Sequence, residues 1–480
     1  MKRLLGVLLL GSMLAGCVST PSTTPSEVAL KPAALGLAGG APAPAIAEHW
    51  WTAFGDPQLD ALVDKALSGS PTLAAALARL RAAQSQLAAS TAATYPQVTL
   101  DGNETRERFS KNYIIPPPYG GTTQWIGTVQ ANVSWSLDFF GKEQAQIDRA
   151  KANAHAAALD AAAAQLLLAG SVTQAYIALG RAEVLIDVAQ EAVNQRNAVL
   201  TLTGGRVKAG LDTVASQKQA EALLAMARED LILAKANREM AIHQIAALTG
   251  HGADAYEIAR PHLSETALAL PATLPADLLA RRADIAAAQA RIDTAFQGRE
   301  IARLAYYPDI NLLGLAGWAA IGLGPMFSAS ALQYGAGAAI HLPIFDAGKL
   351  DAEYAGATAG LDEAVANYNA TVVGAVKQAA DAVTQLRSVQ DEATQQRVAL
   401  AAAEASFDLA TRRYRSGLNP QLNVLDAETV LIQARRQSAA LASDDAAARV
   451  TLLMAMGGGF VPEPATAETS TSNDQDTHHE

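Results

Sequence analysis

Residues 124–138 read Gln124-Trp125-Ile126-Gly127-Thr128-Val129-Gln130-Ala131-Asn132-Val133-Ser134-Trp135-Ser136-Leu137-Asp138. In an extended chain Trp125, Gly127, Val129, Ala131, Val133, Trp135 and Leu137 share one face. Thr128, Gln130, Asn132, Ser134, Ser136 and Asp138 share the other. Small or aromatic residues outward and polar residues inward, at period two, is the pattern of a transmembrane β-barrel strand. Val98 and Leu100 begin a partner strand (96–103), joined to the first by a polar, Pro-rich connection at 104–123. Ile310, Leu312, Gly314, Ala316 and Trp318 alternate again in a strand over 309–318. Tyr334, Ala336, Ala338, Ile340 and Leu342 form its return over 332–345. One such segment alone fits the edge of a soluble sheet; four together point to a barrel. Single-chain barrels start at 8 strands, so four strands must be shared between chains, and three copies in a ring would supply twelve.

Between and after the strands lie two long segments without proline, from Gly141 to Thr203 and from Ala347 to Arg415. Helices of this length would extend roughly 90 Å at about 1.5 Å per residue. Leu166, Leu167, Val172, Tyr176, Ile177, Val184, Leu185 and Val188 make a stripe suited to coiled-coil packing. A returning helix is expected from about Leu211 to Leu248, with Leu224, Leu231, Ile245 and Leu248 as its stripe. The two halves also echo each other. Gly141-Lys142 recurs as Gly348-Lys349, Gly210-Leu211-Asp212 as Gly417-Leu418-Asn419, and Thr249-Gly250 as Met456-Gly457, each at an offset of 207 residues. Tyr95-Pro96 recurs as Tyr307-Pro308.

The bulk numbers agree with packed helices. Among 480 residues alanine is over-used, aromatics are 5% and charged residues 17%, and alanine combines the best helix propensity with close backbone approach. A net charge of −11 argues against a nucleic-acid partner. No apolar stretch after residue 17 is expected to span a bilayer as a helix, which leaves a β-barrel as the way across. The eight histidines form no His-Glu-x-x-His arrangement, and neither Gly-Lys pair has the glycine spacing of a phosphate loop. No enzyme activity and no cofactor are expected.

The chain starts with Met1-Lys2-Arg3 and an apolar run from Leu4 to Leu14, which reads as an export signal (1–16). Leu14-Ala15-Gly16-Cys17 resembles the lipobox of bacterial lipoproteins, with Cys17, the sole cysteine, as the acylated residue. No internal disulfide is possible. Val18 resembles the sorting signal for the outer membrane. A flexible lipidated tether is expected over 17–47. A first repeat over 48–250 follows, with its helical hairpin at 141–250, then a connector at 251–280. The second repeat covers 281–459, with its hairpin at 347–456, and a disordered acidic tail takes 460–480.

Several motifs then converge on one family. Trp50-Trp51-x-x-Phe54-x-Asp56-Pro57-x-Leu59-x-x-Leu62 and Leu279-x-x-Arg282-x-Asp284-Ile285-x-x-Ala288 resemble motifs opening the two repeats of TolC-like outer-membrane factors, in the lipoprotein branch that serves resistance-nodulation-division pumps. Ala283 and Gln289 depart from the family's usual proline and glutamate. Arg413-Tyr414-x-x-Gly417 with Val424-Leu425-Asp426-Ala427 resembles the second turn at the inner tip, and Arg206-x-x-x-Gly210-Leu211 its first counterpart. The resemblance covers about residues 48–459. It implies a mainly α fold with a membrane β-barrel portion: a homotrimer whose twelve-stranded barrel in the outer membrane continues as a helical barrel across the periplasm. It also implies a periplasmic adaptor docking at Gly210, Leu211, Gly417 and Leu418, and an inner-membrane pump supplying energy. By the same resemblance Asp426 and Asn423 sit at the pore gate, and Arg413, Tyr414 and, less directly, Arg206 are gate ties. Asp426 is equally readable as a solvated residue near a helix N-terminus, where a carboxylate is favoured. The implied function is an efflux exit duct for small molecules; a type I protein-secretion duct, a metal-ion efflux duct and a non-transport lipoprotein scaffold remain as alternatives.

Overall fold

The computed structural model describes residues 23–31, 46–112, 114–252, 257–262, 276–322 and 324–461. Cys17, the export signal and most of the 460–480 tail lie outside the described residues. The chain forms two compact units. Its helices are α1 (Pro57–Gly69), α2 (Pro71–Ala92), α3 (Lys142–Lys208), α4 (Val214–Leu248), α5 (Ala283–Leu304), α6 (Lys349–Arg415) and α7 (Gln421–Ala455). Its strands are β1 (Gln97–Arg108), β2 (Thr123–Leu137), β3 (Asp309–Ile321) and β4 (Leu332–His341). The helices α3 and α6 each contain 67 residues, and α4 and α7 each contain 35.

One unit comprises Met1–Leu30, Ala75–Ala161 and Asp284–Val372, and it holds the sheet. The four strands form an antiparallel meander in the order β1-β2-β3-β4. The register gathers Val98, Leu100, Trp135, Val133, Val129, Leu312, Trp318, Tyr334 and Ile340 onto one face, because each is paired with or alternates beside the next. On the opposite face Gln130 donates to Asn132 (2.9 Å), Asn132 to Asp101 (2.6 Å) and Gln333 to Gln130 (3.0 Å). One side is therefore apolar and the other a polar ladder. Gly317 permits the close approach of β3 to β2, since a side chain there would collide with the backbone of Val129 and Gln130.

Strand β1 is longer than the sequence suggests. It continues to Arg108, with Glu104, Arg106 and Arg108 facing Gly127, Trp125 and Thr123. Charges on the otherwise apolar face hide the alternation there, and pairing with β2 carries the strand on regardless. By contrast β4 ends at His341, short of 345, where Pro343 lacks the N–H a ladder requires. Residues 23–31, expected to belong to a flexible tether, instead make specific hydrogen bonds to α5 and α6.

The second unit comprises Lys31–Ala74, Ala162–Ala283 and Val373–Glu480. Val172, Tyr176 and Leu179 of α3, Ile245 of α4, Leu386 of α6 and Leu431 and Leu452 of α7 are fully buried in it. Alanines make the close contacts: Ala379, Ala382, Ala448 and Ala455 pack around Leu386 and Leu452. Leu167 and Val184 from the expected stripe are exposed in the chain, so the stripe is narrower than the sequence implied. The hydropathy expectation also needs correcting. A window of α3 has mean hydropathy 1.4, apolar enough by length and composition to cross a membrane. Of that window 44% is buried within the chain.

Two polar hubs explain the motifs that open each half. Asp56 caps α1 by accepting from Gln58 N (3.0 Å), and it also accepts from Tyr176 OH (2.7 Å) and His262 N (2.9 Å). Burial pushes the Asp56 carboxyl up, but these three donors outweigh it and hold the group below the usual carboxylate range. Arg282, also buried, donates to the Ala455 carbonyl at the end of α7 (2.9 Å) and to Gln378 (2.9 Å). It thereby satisfies one of the carbonyls a helix leaves open at its C-terminus.

Candidate functional site

Both helix reversals have the same backbone construction. Gly210 has φ 71° and Gly417 φ 75°. At the first, Gly210 N donates to Val207 O (3.0 Å) and Leu211 N to Arg206 O (2.8 Å); at the second, Gly417 N donates to Tyr414 O (3.0 Å) and Leu418 N to Arg413 O (2.9 Å). This is the Schellman pattern, in which a left-handed residue closes the helix. A side chain at either glycine would meet nothing within 4 Å, so the backbone angle alone demands glycine. Leu211 and Leu418 are 64% and 71% exposed, which leaves an apolar side chain free at each reversal.

Between the reversals lies a polar tie joining the α3–α4 hairpin to the α6–α7 hairpin. Asp212 accepts from Arg206 Nε at 2.7 Å and from Tyr414 OH at 2.6 Å. The Arg206 guanidinium lies over the Tyr414 ring, 4.6 Å from its centroid. Tyr414 is fully buried, among Val199, Val424 and Leu425. Gln421 Nε2 donates to Thr203 Oγ1 at 2.8 Å, and Thr203 Oγ1 lies 3.4 Å from Tyr414 OH. Burial raises the Asp212 carboxyl, but hydrogen bonds from Tyr414 and Arg206 outweigh it and leave the group below its ordinary value. Burial and the neighbouring Asp212 raise the Tyr414 phenol, so it stays protonated and keeps donating.

Next to the tie, Thr203–Gln421 is the first rung of a seam between α3 and α7. Below Thr203–Gln421 come Arg196–Glu428 (3.9 Å), Glu191–Arg435 (2.5 Å), Arg181–Asp444 (2.8 Å) and Gln174–Thr451 (3.3 Å). The falling α3 numbers against rising α7 numbers describe one antiparallel register. Glu428 is the strained rung: its side chain is fully buried and neither carboxylate oxygen has a hydrogen bond. Burial raises its carboxyl above the ordinary value, and Arg196 offsets this only in part.

The residues singled out in the sequence distribute unevenly. Arg206 and Tyr414 meet, as described. Arg413 lies on the exposed side of α6, and its side chain has no hydrogen bond or ion pair with a described residue. Asp426 and Asn423 are exposed on α7, and their side chains likewise bond to no described residue. Asp212, Thr203, Gln421 and Glu428 escaped the sequence reading. Asp212 left a signal: within the repeated tripeptide it is the one position whose charge changes, to Asn419. Among the described residues no cluster of three or more His, Cys, Asp or Glu side chains is arranged to hold a metal ion. The site ties two hairpins together, and among the described residues of the tie no nucleophile is paired with a base.

Comparison with known proteins gives a consistent result. The sequence model of the family described as outer membrane efflux protein matches residues 62–251 and 274–458. The fusaric acid resistance protein FusA of Burkholderia cepacia is 35% identical over 370 residues, covering 74% of this chain and 69% of FusA. The multidrug resistance outer membrane protein MdtQ of Escherichia coli O6:H1 is 28% identical over 463 residues, covering 93% and 96% respectively. The crystal structure of the outer membrane protein VceC from Vibrio cholerae superimposes with a TM-score of 0.81 at 33% identity, covering 87% of this chain and 100% of VceC.

Proposed function

Because the chain belongs to the outer membrane efflux protein family, whose members are outer-membrane efflux channels and not enzymes, we propose that it acts as a trimeric exit duct opened by parting its two hairpins. The observation that carries this reading is the sheet. Its four strands leave β1 and β4 unpaired on their outer sides, and such edges demand a partner. Because β1 and β4 run in opposite directions, β4 of one copy can continue the antiparallel ladder onto β1 of the next. Three copies then close a twelve-stranded barrel, within the size range of outer-membrane barrels.

The faces fit that arrangement. Trp125 and Trp135 stand ten residues apart on the apolar face, about 33 Å along the strand. At a tilt of about 40° that is about 25 Å along the membrane normal, the height of an apolar band between aromatic girdles. The polar ladder of Asp101, Asn132, Gln130 and Gln333 then wets the lumen. Acylation at Cys17 anchors the chain to the same membrane.

The free Leu211 and Leu418 of three copies give six similar apolar tips for a periplasmic adaptor, which in turn engages an inner-membrane pump. The tie of Asp212, Arg206 and Tyr414 holds the closed state, with Asp426 and Asn423 beside the pore. Opening is a small shift between alternative packings of the hairpins. The relatives' names, fusaric acid resistance and multidrug resistance, favour small organic molecules as cargo.

Native mass spectrometry of the detergent-purified full chain, combined with single-channel conductance in a planar bilayer, tests the proposal. Three chains per particle and a conducting pore are expected. A monomer, or a trimer that never conducts in either wild type or Asp212→Asn, would overturn it.

A further inference from the structure

Residues 23–31 are held along α6 by a short series of side-chain clamps. Asp362 Oδ1 accepts from Ser26 N and Glu27 N (2.9 and 3.0 Å), and Oδ2 accepts from Ser26 Oγ (2.9 Å). Seven residues along, Asn369 Oδ1 accepts from Leu30 N (2.8 Å) while Asn369 Nδ2 donates to Val28 O (3.0 Å). Upstream, Arg299 of α5 donates to Thr23 O (3.2 Å) and is itself steadied by Thr358 (3.1 Å) and the Tyr354 ring (4.8 Å). With the exception of Ser26 Oγ, every contact grips the main chain of the segment. Such clamps read position along the chain, not side-chain identity.

The spacing gives that grip a consequence. Thr358, at the level of Thr23, is nine residues beyond Lys349, the first residue of α6, or about 14 Å along the helix. Just before Lys349, Ile344 and Phe345 are 93% and 89% exposed, and Phe139 at the end of β2 is 68% exposed. Bulky apolar and aromatic residues bared at the strand–helix junctions mark a membrane–water interface. Cys17 lies six residues before Thr23, a reach of at most about 20 Å. The reach exceeds that helical distance by about 6 Å, less than two extended residues, and this remainder is all that is left for passing from Lys349 to the level of Ile344 and Phe345.

We infer that Asp362 and Asn369 form a length-setting clamp, which leaves just enough chain before Thr23 for an acylated Cys17 to meet the membrane interface at Ile344 and Phe345. This rests on the lipid-anchor reading of Cys17 given above. The partner of the clamp is thus a lipid surface, reached through the chain's own leader, and the clamp couples anchoring to the depth at which the sheet sits. The Asp362 carboxyl is held below its ordinary value, chiefly by the Glu27 N–H, so the grip persists across neutral pH.

The test is a suppressor experiment on the full chain in cells. Deleting residues 19–22 shortens the reach to about 7 Å, too little for the clamped chain. Loss of trimer from the outer-membrane fraction is expected, and adding Asp362→Ala with Asn369→Ala should restore it by freeing the segment. In the full-length background the same double substitution should expose residues 23–31 to added protease. Accumulation of the deletion variant at the wild-type level overturns the length-setting role. Failure of the double substitution to expose the segment overturns the clamp, as does failure to rescue a deletion variant that still incorporates labelled palmitate. Wild type without palmitate would sink the lipid reading instead, while the protease arm still reports on the clamp alone.

Discussion

Replacing Tyr414 with phenylalanine isolates the tie between the hairpins. The ring, fully buried among Val199, Val424 and Leu425, stays in place, and Arg206 keeps its position over the ring face. What is lost is the hydroxyl, with its 2.6 Å bond to the Asp212 carboxylate and its 3.4 Å approach to Thr203. A hydrogen bond to a charged group contributes about 1.5–3 kcal/mol. Asp212 keeps some contact with solvent, so the lower end applies, about 1.5 kcal/mol. If the bond exists only when the hairpins are together, the closed-to-open ratio should fall about tenfold. Planar-bilayer recordings should show that rise in open probability, and cells should admit bulky antibiotics more readily. Thermal stability should fall by no more than about the same 1.5 kcal/mol, since packing is retained. An open probability equal to wild type in Tyr414→Phe and also in Asp212→Asn would refute the assignment of this tie to the gate.

Four other outcomes follow from the same geometry. Acidification should release the tie only at low pH: the Asp212 pKa is depressed in the folded chain, so its contribution is present above the ordinary value and lost as pH falls through the folded one. Conductance should therefore rise below about pH 4 in wild type and not in Asp212→Asn. Glu428 has the opposite sign. Its raised folded value means that the folded chain holds a proton the unfolded chain has shed, so melting temperature should decline as pH rises above the ordinary glutamate value, and Glu428→Gln should flatten that slope. Gly417→Ala should cost about 1 kcal/mol, the price of a left-handed angle on an L-residue, whereas Gly457→Ala should cost visibly more in the same melting assay. There the added carbon also strikes the Arg281 carbonyl. Asp56→Ala should lower the melting temperature more than a simple cap loss of about 1 kcal/mol, because it also removes the acceptor of the buried Tyr176 O–H, which keeps only the bond it accepts from Gln58.

What could be read from the sequence depended on whether one local rule ruled the residue. The alternation at 124–138 needs only the two-residue repeat of a strand, and β2 runs Thr123–Leu137. Glycines at 210 and 417 announce helix ends because nothing else takes a positive φ cheaply. The far half of β1 was hidden by Glu104, Arg106 and Arg108, whose charges break the pattern while their backbones still pair. Hydrogen bonds between distant segments were out of reach altogether. Ser26 meets Asp362 across 336 residues, and no composition rule separates a gripped Ser-Pro-Thr stretch from a loose one. Arg206 and Tyr414 came from a resemblance, which supplied the residues but not the acid between them.

The asymmetry between the two halves is itself informative about control. The features proposed for docking occur twice: each reversal has its Schellman glycine and its exposed leucine, Leu211 or Leu418. Among the described residues the tie occurs once. Asp212 faces Tyr414, but the residue matching Asp212 is the uncharged Asn419, and the one matching Tyr414 is Val207. The seam repeats the lesson, since Arg196 and Glu428 correspond to Ala403 and Glu221, which form no such pair. A threefold ring of sixfold-like tips would therefore carry six docking points and three latches. An adaptor bound evenly to all six tips would pull on two unlike hairpins in every chain, and the contact between them nearest the reversals is the Asp212–Tyr414 tie. Force spread over the equivalent tips is thereby focused on the inequivalent tie, so uniform docking can produce a directed opening. Restoring the symmetry with Asn419→Asp should leave docking intact, because the tip leucines are untouched. It should leave the latch intact as well, because Val207 offers the new carboxylate no hydroxyl to hold. Adaptor affinity and open probability both at the wild-type level are the expected readings, and a more tightly closed channel would show that the second reversal also latches.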